Sequence, residues 1–162
     1  MQALFDIDPF NWPAIVTALL CGTIIGLERQ LRGKPVGIRT SALIVLGTYV
    51  FVKSASTLVG NVDAGRVIGQ VITGIGFLGA GVMLAREGIV VGVTSASAIW
   101  ALASIGVTIG LGYHLTAIKL SFVVIFILLG VDLLEDYSAA FTRGVHAKIR
   151  DWRGRGIQPR QE

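Results

Sequence analysis

Uncharged apolar stretches alternate along the chain with short charged ones, at lengths that suit a bilayer better than a water-facing core. Pro9 to Leu27 carries no charge over 19 residues and ends in Glu28-Arg29-Gln30-Leu31-Arg32. At about 1.5 Å per residue, about 20 apolar residues cross the roughly 30 Å hydrocarbon layer. This run therefore predicts a first spanning helix, with Trp12 at the interface opposite its basic end. After the turn-rich Gly33-Lys34-Pro35-Val36-Gly37, a second helix is expected from an N-cap at Thr40 or Ser41 to about Val59. Lys53 lies near enough to its far end to snorkel outward. Arg66 opens a third run, Val67 to Ala85, again 19 uncharged residues. The next uncharged run, Gly88 to Tyr113, has 26 residues, too many for one upright span. Its β-branched, glycine-interrupted start, Ile89-Val90-Val91-Gly92-Val93, is expected to form a loop or short re-entrant piece, with the fourth helix running from Thr94 or Ser95 to about Gly112. A fifth span, Thr116 to Leu134, has a strictly uncharged centre of 12 residues, Leu120 to Val131, so Lys119 and Asp132 belong near opposite interfaces.

Glycine distribution adds packing to this picture. Small residues four apart, Gly22 with Gly26, Gly76 with Ala80 and Gly106 with Gly110, each put a groove on one helix face, the mark of a compact bundle or a dimer seam. In the third run Gly69, Thr73, Gly76 and Ala80 form one stripe, while Gly74 and Gly81 lie on another. A helix small on two faces is expected to be sandwiched at the centre of the bundle. The alternative is a hinge or binding surface at mid-depth.

Composition supports the same class. Of 162 residues, 53% are hydrophobic and 15% charged, against about 25% charged in a soluble domain. Mean hydropathy is +0.73. The expectation is an all-α polytopic membrane protein, a compact bundle of about five transmembrane helices over residues 1–136, followed by a basic amphipathic helix and tail over 137–162. In that last segment Phe141, Val145, Ile149 and Trp152 form a stripe flanked by Arg143, Lys148, Arg150 and Arg153, suited to an anionic leaflet or a partner subunit. With five spans and the N-terminus outside, 11 of the 14 cations fall on the inner side and only Lys53, Arg66 and Lys119 outside. This favours an outside N-terminus and a cytoplasmic C-terminus. Membrane topology thus accounts for the net charge of +4 without nucleic acid. The acidic opening, Asp6 and Asp8, argues against a cleavable signal, and Cys21, the single cysteine, reads as a small packing residue.

Candidate chemistry is sparse. A carboxylate at the membrane edge needs a partner, and Arg29, Arg32 or Arg39 could supply one to Glu28. Asp132, Glu135 and Asp136 cluster at the cytoplasmic end of the fifth helix. Arginines of the first loop would neutralise them; the functional alternative is a weak magnesium site, because that ion is held by one or two carboxylates and several waters. His114 and His146 are expected on opposite sides of the membrane, and no nucleophile has a motif-level base, so neither an enzyme nor a resident cofactor is expected.

Taken together, Gly26-Leu-Glu-Arg-Gln30, Gly37-Ile-Arg-Thr40, Gly74-Ile-Gly-Phe-Leu-Gly-Ala-Gly81, Arg86-Glu-Gly88, Thr94 to Trp100 and Ile105-Gly106 resemble the MgtC/SapB family of bacterial inner-membrane proteins. The resemblance runs from about residue 13 to residue 131. It implies a multi-span protein linked to magnesium limitation, acid stress and survival of pathogens in host cells, with the rotary ATP synthase as a partner of some members. On this basis the motif residues are Glu28, Arg29, Gln30, Arg39, Thr40, Gly74, Gly76, Gly79, Gly81 and Trp100. Two departures stand out: Val91 replaces an arginine frequent in the family, and Thr94 replaces an asparagine. Many members continue into an ACT-like C-terminal domain, and regulation through that domain is not expected of these 162 residues, whether they are a short member or part of a longer chain. Three functions fit: a regulator acting by helix contact with other membrane proteins, a Mg2+ or other cation transporter, or a scaffold that only oligomerises. The transporter is weakened because no acid lies at mid-depth, where Gln70, Thr73, Ser104 and Thr108 are the polar side chains.

Overall fold

The structure, a computed structural model, describes residues 6–57, 64–86 and 89–137. Five helices follow in order: α1 (Trp12–Leu31), α2 (Ile38–Thr57), α3 (Ala64–Val82), α4 (Val93–Gly110) and α5 (His114–Tyr137). All five contain a stretch long and apolar enough to cross a membrane. Between α3 and α4 lies a small antiparallel hairpin, β1 (Leu84–Arg86) with β2 (Ile89–Val91), in which Leu84 pairs with Val91 and Arg86 with Ile89. The chain is an all-α polytopic membrane protein with a β-ribbon at one helix junction.

Local sequence explains where the helices begin and end. Asn11 caps α1: its backbone is extended and its side-chain oxygen accepts from the Ala14 N–H at 2.8 Å, while Pro13 sits in the first turn, where a missing N–H costs nothing. The helix ends within the charged turn, at Leu31, as expected of its basic end. Its stop is conformational: Gly33 adopts φ +65°, and the N–H groups of Gly33 and Lys34 donate to the carbonyls of Gln30 and Arg29. The same closure ends α4, where Gly112 has φ +90° and Gly112 and Tyr113 donate to Ile109 and Thr108. α2 starts at Ile38, so Thr40 and Ser41 lie inside it rather than capping it; Ser41 is fully buried. Where a loop or re-entrant piece was expected, β-branched Ile89-Val90-Val91 forms a strand, a conformation that suits stiff side chains. Gly92 then turns the chain at φ +96°, with its α-carbon so close to the Val82 carbonyl that a side chain could not fit.

Packing centres on α2, which lies against α1, α3 and α4. A Cβ on Gly22 would come 2.5 Å from the Ala42 Cα, and one on Gly26 would come 2.5 Å from the Ile38 Cα. Across the other face, a Cβ on Gly106 would meet the Val45 carbonyl at 2.6 Å, and one on Gly110 would meet the Val52 side chain at 2.6 Å. Two of the three expected small-residue pairs therefore do seat neighbouring backbones. The core around them contains Ala18, Cys21 and Ile25 of α1, Val45 and Tyr49 of α2, and Ile99, Leu102 and Ile105 of α4. Tyr49 also holds the chain leading into α1: its hydroxyl accepts from the Asn11 N–H at 3.2 Å, and its ring meets Phe10 edge-on.

The third pair behaves otherwise. α3 is one unbroken helix, and of its residues whose burial is described only Ile75 and Gly79 are buried. Outside the helix's own backbone, no atom lies within 4 Å of a Cβ placed on Gly69, Gly74, Gly76 or Gly81, whereas one on Gly79 would lie 3.6 Å from the Ala96 Cβ of α4. The expectation of a central, sandwiched α3 is thus corrected: α2 is the central helix, and both small faces of α3 point outward.

Contacts divide the chain into two units, Met1–Val124 and Ile125–Glu162. In the first, Ala117 and Ser121 of α5 are fully buried, while Leu115 and Phe122 are exposed as befits a lipid-facing helix. In the second, α5 continues as helix to Tyr137. The amphipathic stripe of Phe141, Val145, Ile149 and Trp152 lies outside the described residues.

Candidate functional site

Three consecutive residues near the end of α1 reach in three directions. Glu28 is buried, with a side chain 7% exposed, and Arg32 one turn later brings its Nε within 2.9 Å of Oε1. That approach is electrostatic and off the hydrogen-bonding axis, so among the described residues neither carboxylate oxygen accepts a hydrogen bond. Arg29, next along, is 2% exposed and spans to α4, where its Nη2 donates to the Ser95 Oγ at 2.7 Å. Gln30 turns toward α2: its Oε1 accepts from the Ile38 N–H at 3.3 Å and lies 3.0 Å from where a Cβ on Gly37 would be. The turn therefore fastens α1 to the first turns of α2 and α4.

Charge explains why this knot is tolerable at the membrane edge. Burying Arg29 or Glu28 singly would be costly, but Glu28 interacts with two guanidinium groups, Arg29 and Arg32, and its charge offsets part of theirs. Arg39, the third partner considered for Glu28, instead lies exposed on α2. Ser95 was legible in the sequence only as a candidate start of α4; its role as the acceptor for Arg29 depends on contact over 66 positions of chain.

Two hollows flank α3. One, of about 690 Å3, runs between α2 and α3 and is lined by Arg39 and Thr40 at one end, by Leu43, Gly47 and Gly74 along its length, and by Phe51 and Val67 at the other end. Thr48 and Gln70 add two further polar side chains. The second, of about 270 Å3, lies between α3 and α4 beneath half-exposed Trp100 and includes Ser104 and Thr108. The hydroxyls of Ser104 and Thr108 are bonded back to carbonyls of their own helix, as is that of Thr73.

The motif residues therefore separate by place. Glu28, Arg29 and Gln30 meet at the α1 end; Arg39, Thr40 and Gly74 share the α2–α3 groove; Trp100 faces the α3–α4 hollow; Gly79 touches α4; Gly76 and Gly81 stand open. Gly22, Gly26, Gly106 and Gly110 are packing residues throughout. Asp132, Glu135 and Asp136 fall in the helical end of α5, but their side chains lie outside the described residues. Among the described residues, no three His, Cys, Asp or Glu side chains gather closely enough to hold a metal ion.

Comparison with known proteins decides the family. The MgtC family model matches residues 15–137, most of the chain and all five helices. The protein belongs to the MgtC family. It is 41% identical over 112 residues to "Protein MgtC" of Salmonella typhimurium strain LT2, covering 68% of this chain and 48% of that protein. It is 42% identical over 108 residues to "Putative magnesium transporter YhiD" of Escherichia coli K12, covering 62% of this chain and 50% of that one. An uncharacterized protein of Haemophilus influenzae is 39% identical over 129 residues, covering 73% of this chain and 54% of its own length. This MgtC-family chain thus spans about half the length of the curated relatives it matches. No solved structure matches it.

Proposed function

We propose that this MgtC-family chain is a bacterial inner-membrane regulator that acts without catalysis, through helix-to-helix contact with other membrane proteins, during adaptation to low magnesium or acid stress. Its N-terminus is outside and its C-terminus cytoplasmic, as the distribution of cations favours. The observation that carries this reading is the outward stripe of Gly69, Thr73, Gly76 and Ala80 on α3, all exposed. In lipid a backbone gains little from being bare, whereas a partner helix gains close approach from it. The partner is a second copy of this chain or another membrane protein, with the rotary ATP synthase a candidate from the family resemblance.

A cation transporter is the second reading, favoured by the name of the Escherichia coli relative. Two features weigh on the side of the regulator. α3 is continuous, so its glycines free no ring of carbonyls for a dehydrated ion, and the hydroxyls of Thr73, Ser104 and Thr108 are tied within their own helices. Cross-linking in membranes from a Gly76→Cys variant on a Cys21→Ser background separates the readings, paired with Mg2+ flux into proteoliposomes. The regulator predicts a cross-linked partner and no flux. Robust Mg2+ uptake that Gly76→Leu leaves unchanged would overturn it.

A further inference from the structure

The groove between α2 and α3 differs from the small-residue stripe. Taking 100° per residue, Gly74 and Leu78 lie on the α2 side of Ile75, and Gly76 and Ala80 lie on the opposite side. The groove is therefore free for a separate occupant, and three features describe that occupant. Its walls are apolar along nearly their whole length, with Leu43, Phe51 and Leu78 exposed to the hydrocarbon. Thr48 and Gln70 are neutral polar residues along the groove, but its charge stands at one end, where Arg39 lies beside Thr40 in the first turn of α2 and no carboxylate among the described residues pairs with Arg39. From Arg39 to Phe51 it extends over roughly 18 Å of helix rise, close to the roughly 15 Å depth of a single leaflet's hydrocarbon.

We propose that this groove binds an anionic glycerophospholipid, with one acyl chain along Leu43, Gly47 and Gly74 and the headgroup phosphate at Arg39 and Thr40. A slender, wholly apolar chain with an anion at one end matches the groove in both shape and charge. A helix of a second copy is the bulkier occupant: α2 and α3 touch one another, and a helix with its side chains is about 10–12 Å wide. Gly47 and Gly74 give the chain its room, since nothing lies within 4 Å of a Cβ on either. Guanidinium recognises a phosphate through paired N–H donors, and the Thr40 hydroxyl can add another.

The test uses the full chain reconstituted in bilayers of phosphatidylglycerol and phosphatidylcholine in equal amounts with identical acyl chains, followed by gentle detergent release and native mass spectrometry. The wild type is expected to retain one phosphatidylglycerol in preference to phosphatidylcholine, by about five-fold, the size of one cation's attraction to an anionic headgroup. Arg39→Gln should abolish the preference, and Arg39→Lys should restore most of it. Gly74→Leu fills the groove without straining the helix and should reduce retention of both lipids. Size-exclusion profiles matching the wild type establish that each variant is folded. Equal retention of the two lipids by the wild type, a preference that survives Arg39→Gln, or unchanged retention by Gly74→Leu overturns the proposal. So does efficient self-cross-linking of Gly74→Cys on a Cys21→Ser background in either lipid, which would make the groove a seam between copies.

Discussion

Gly22→Ala is the sharpest test of the close packing on which this bundle depends. The added Cβ would lie 2.5 Å from the Ala42 Cα, 2.8 Å from the Ala42 N and 2.9 Å from the Ser41 C, all backbone atoms that no rotamer change can move. Ordinary contact begins near 3.4 Å, so α1 and α2 must separate by about 0.9 Å at their tightest point. Overpacking of this kind costs about 1–3 kcal/mol, and here the upper end applies because the obstacle is backbone. Alanine returns roughly 0.5–1 kcal/mol through its better helix propensity, leaving a net loss of about 2 kcal/mol, or roughly thirty-fold in the folded-to-unfolded ratio at about 1.4 kcal/mol per decade. Gly76→Ala is the matched control: the same change in a spanning helix, with nothing within 4 Å, should be neutral or stabilising by up to about 1 kcal/mol. Reversible unfolding of both variants in the same detergent, followed by tryptophan fluorescence, measures the difference. Equal stability of the two variants, or a larger loss for Gly76→Ala, would refute the placement of α2 at the centre and α3 at the edge.

Three further outcomes follow from single contacts. Ser95→Ala removes the acceptor of a buried guanidinium and should cost about 1.5–3 kcal/mol in the same assay, with Ser95→Thr recovering part of it. Asn11→Ala should lose about 1 kcal/mol through the α1 cap, and Asn11→Asp should lose little. Gly92→Ala meets both a left-handed φ of +96° and the Val82 carbonyl, so a loss above about 2 kcal/mol is expected; Gly33→Ala, at φ +65° with open space around it, should lose only about 1 kcal/mol.

Much of the candidate site was visible as residues but not as an arrangement. Glu28, Arg29 and Gln30 stood out as a charged turn at the end of an apolar run, and the need of a buried carboxylate for a nearby cation pointed to Arg32 among others. That Arg29 would cross to α4 while Gln30 capped α2 was not readable, because both links join residues whose proximity is created by the bundle. Likewise Arg39 and Gly74 are 35 positions apart, and their common groove exists only once α2 and α3 lie side by side.

The number and order of the spans, and their limits to within about four residues, are legible in the sequence alone, because an uncharged run of bilayer length that crosses lipid does so as a helix. The charged turn over residues 28–32 does hold the end of α1, at Leu31, and the expected end of α4 near Gly112 falls within two residues of its last residue, Gly110. Tertiary structure alone decided which small-residue faces are used. Gly22 and Gly26 on α1, and Gly106 and Gly110 on α4, press against α2, while Gly74 and Gly76 on α3 remain open. The physical reason is that lipid tails are as apolar as a protein core, so in a spanning helix hydrophobicity no longer distinguishes inside from outside. A bare helix face invites close approach, and only the positions of the neighbouring helices decide whether the protein fills it.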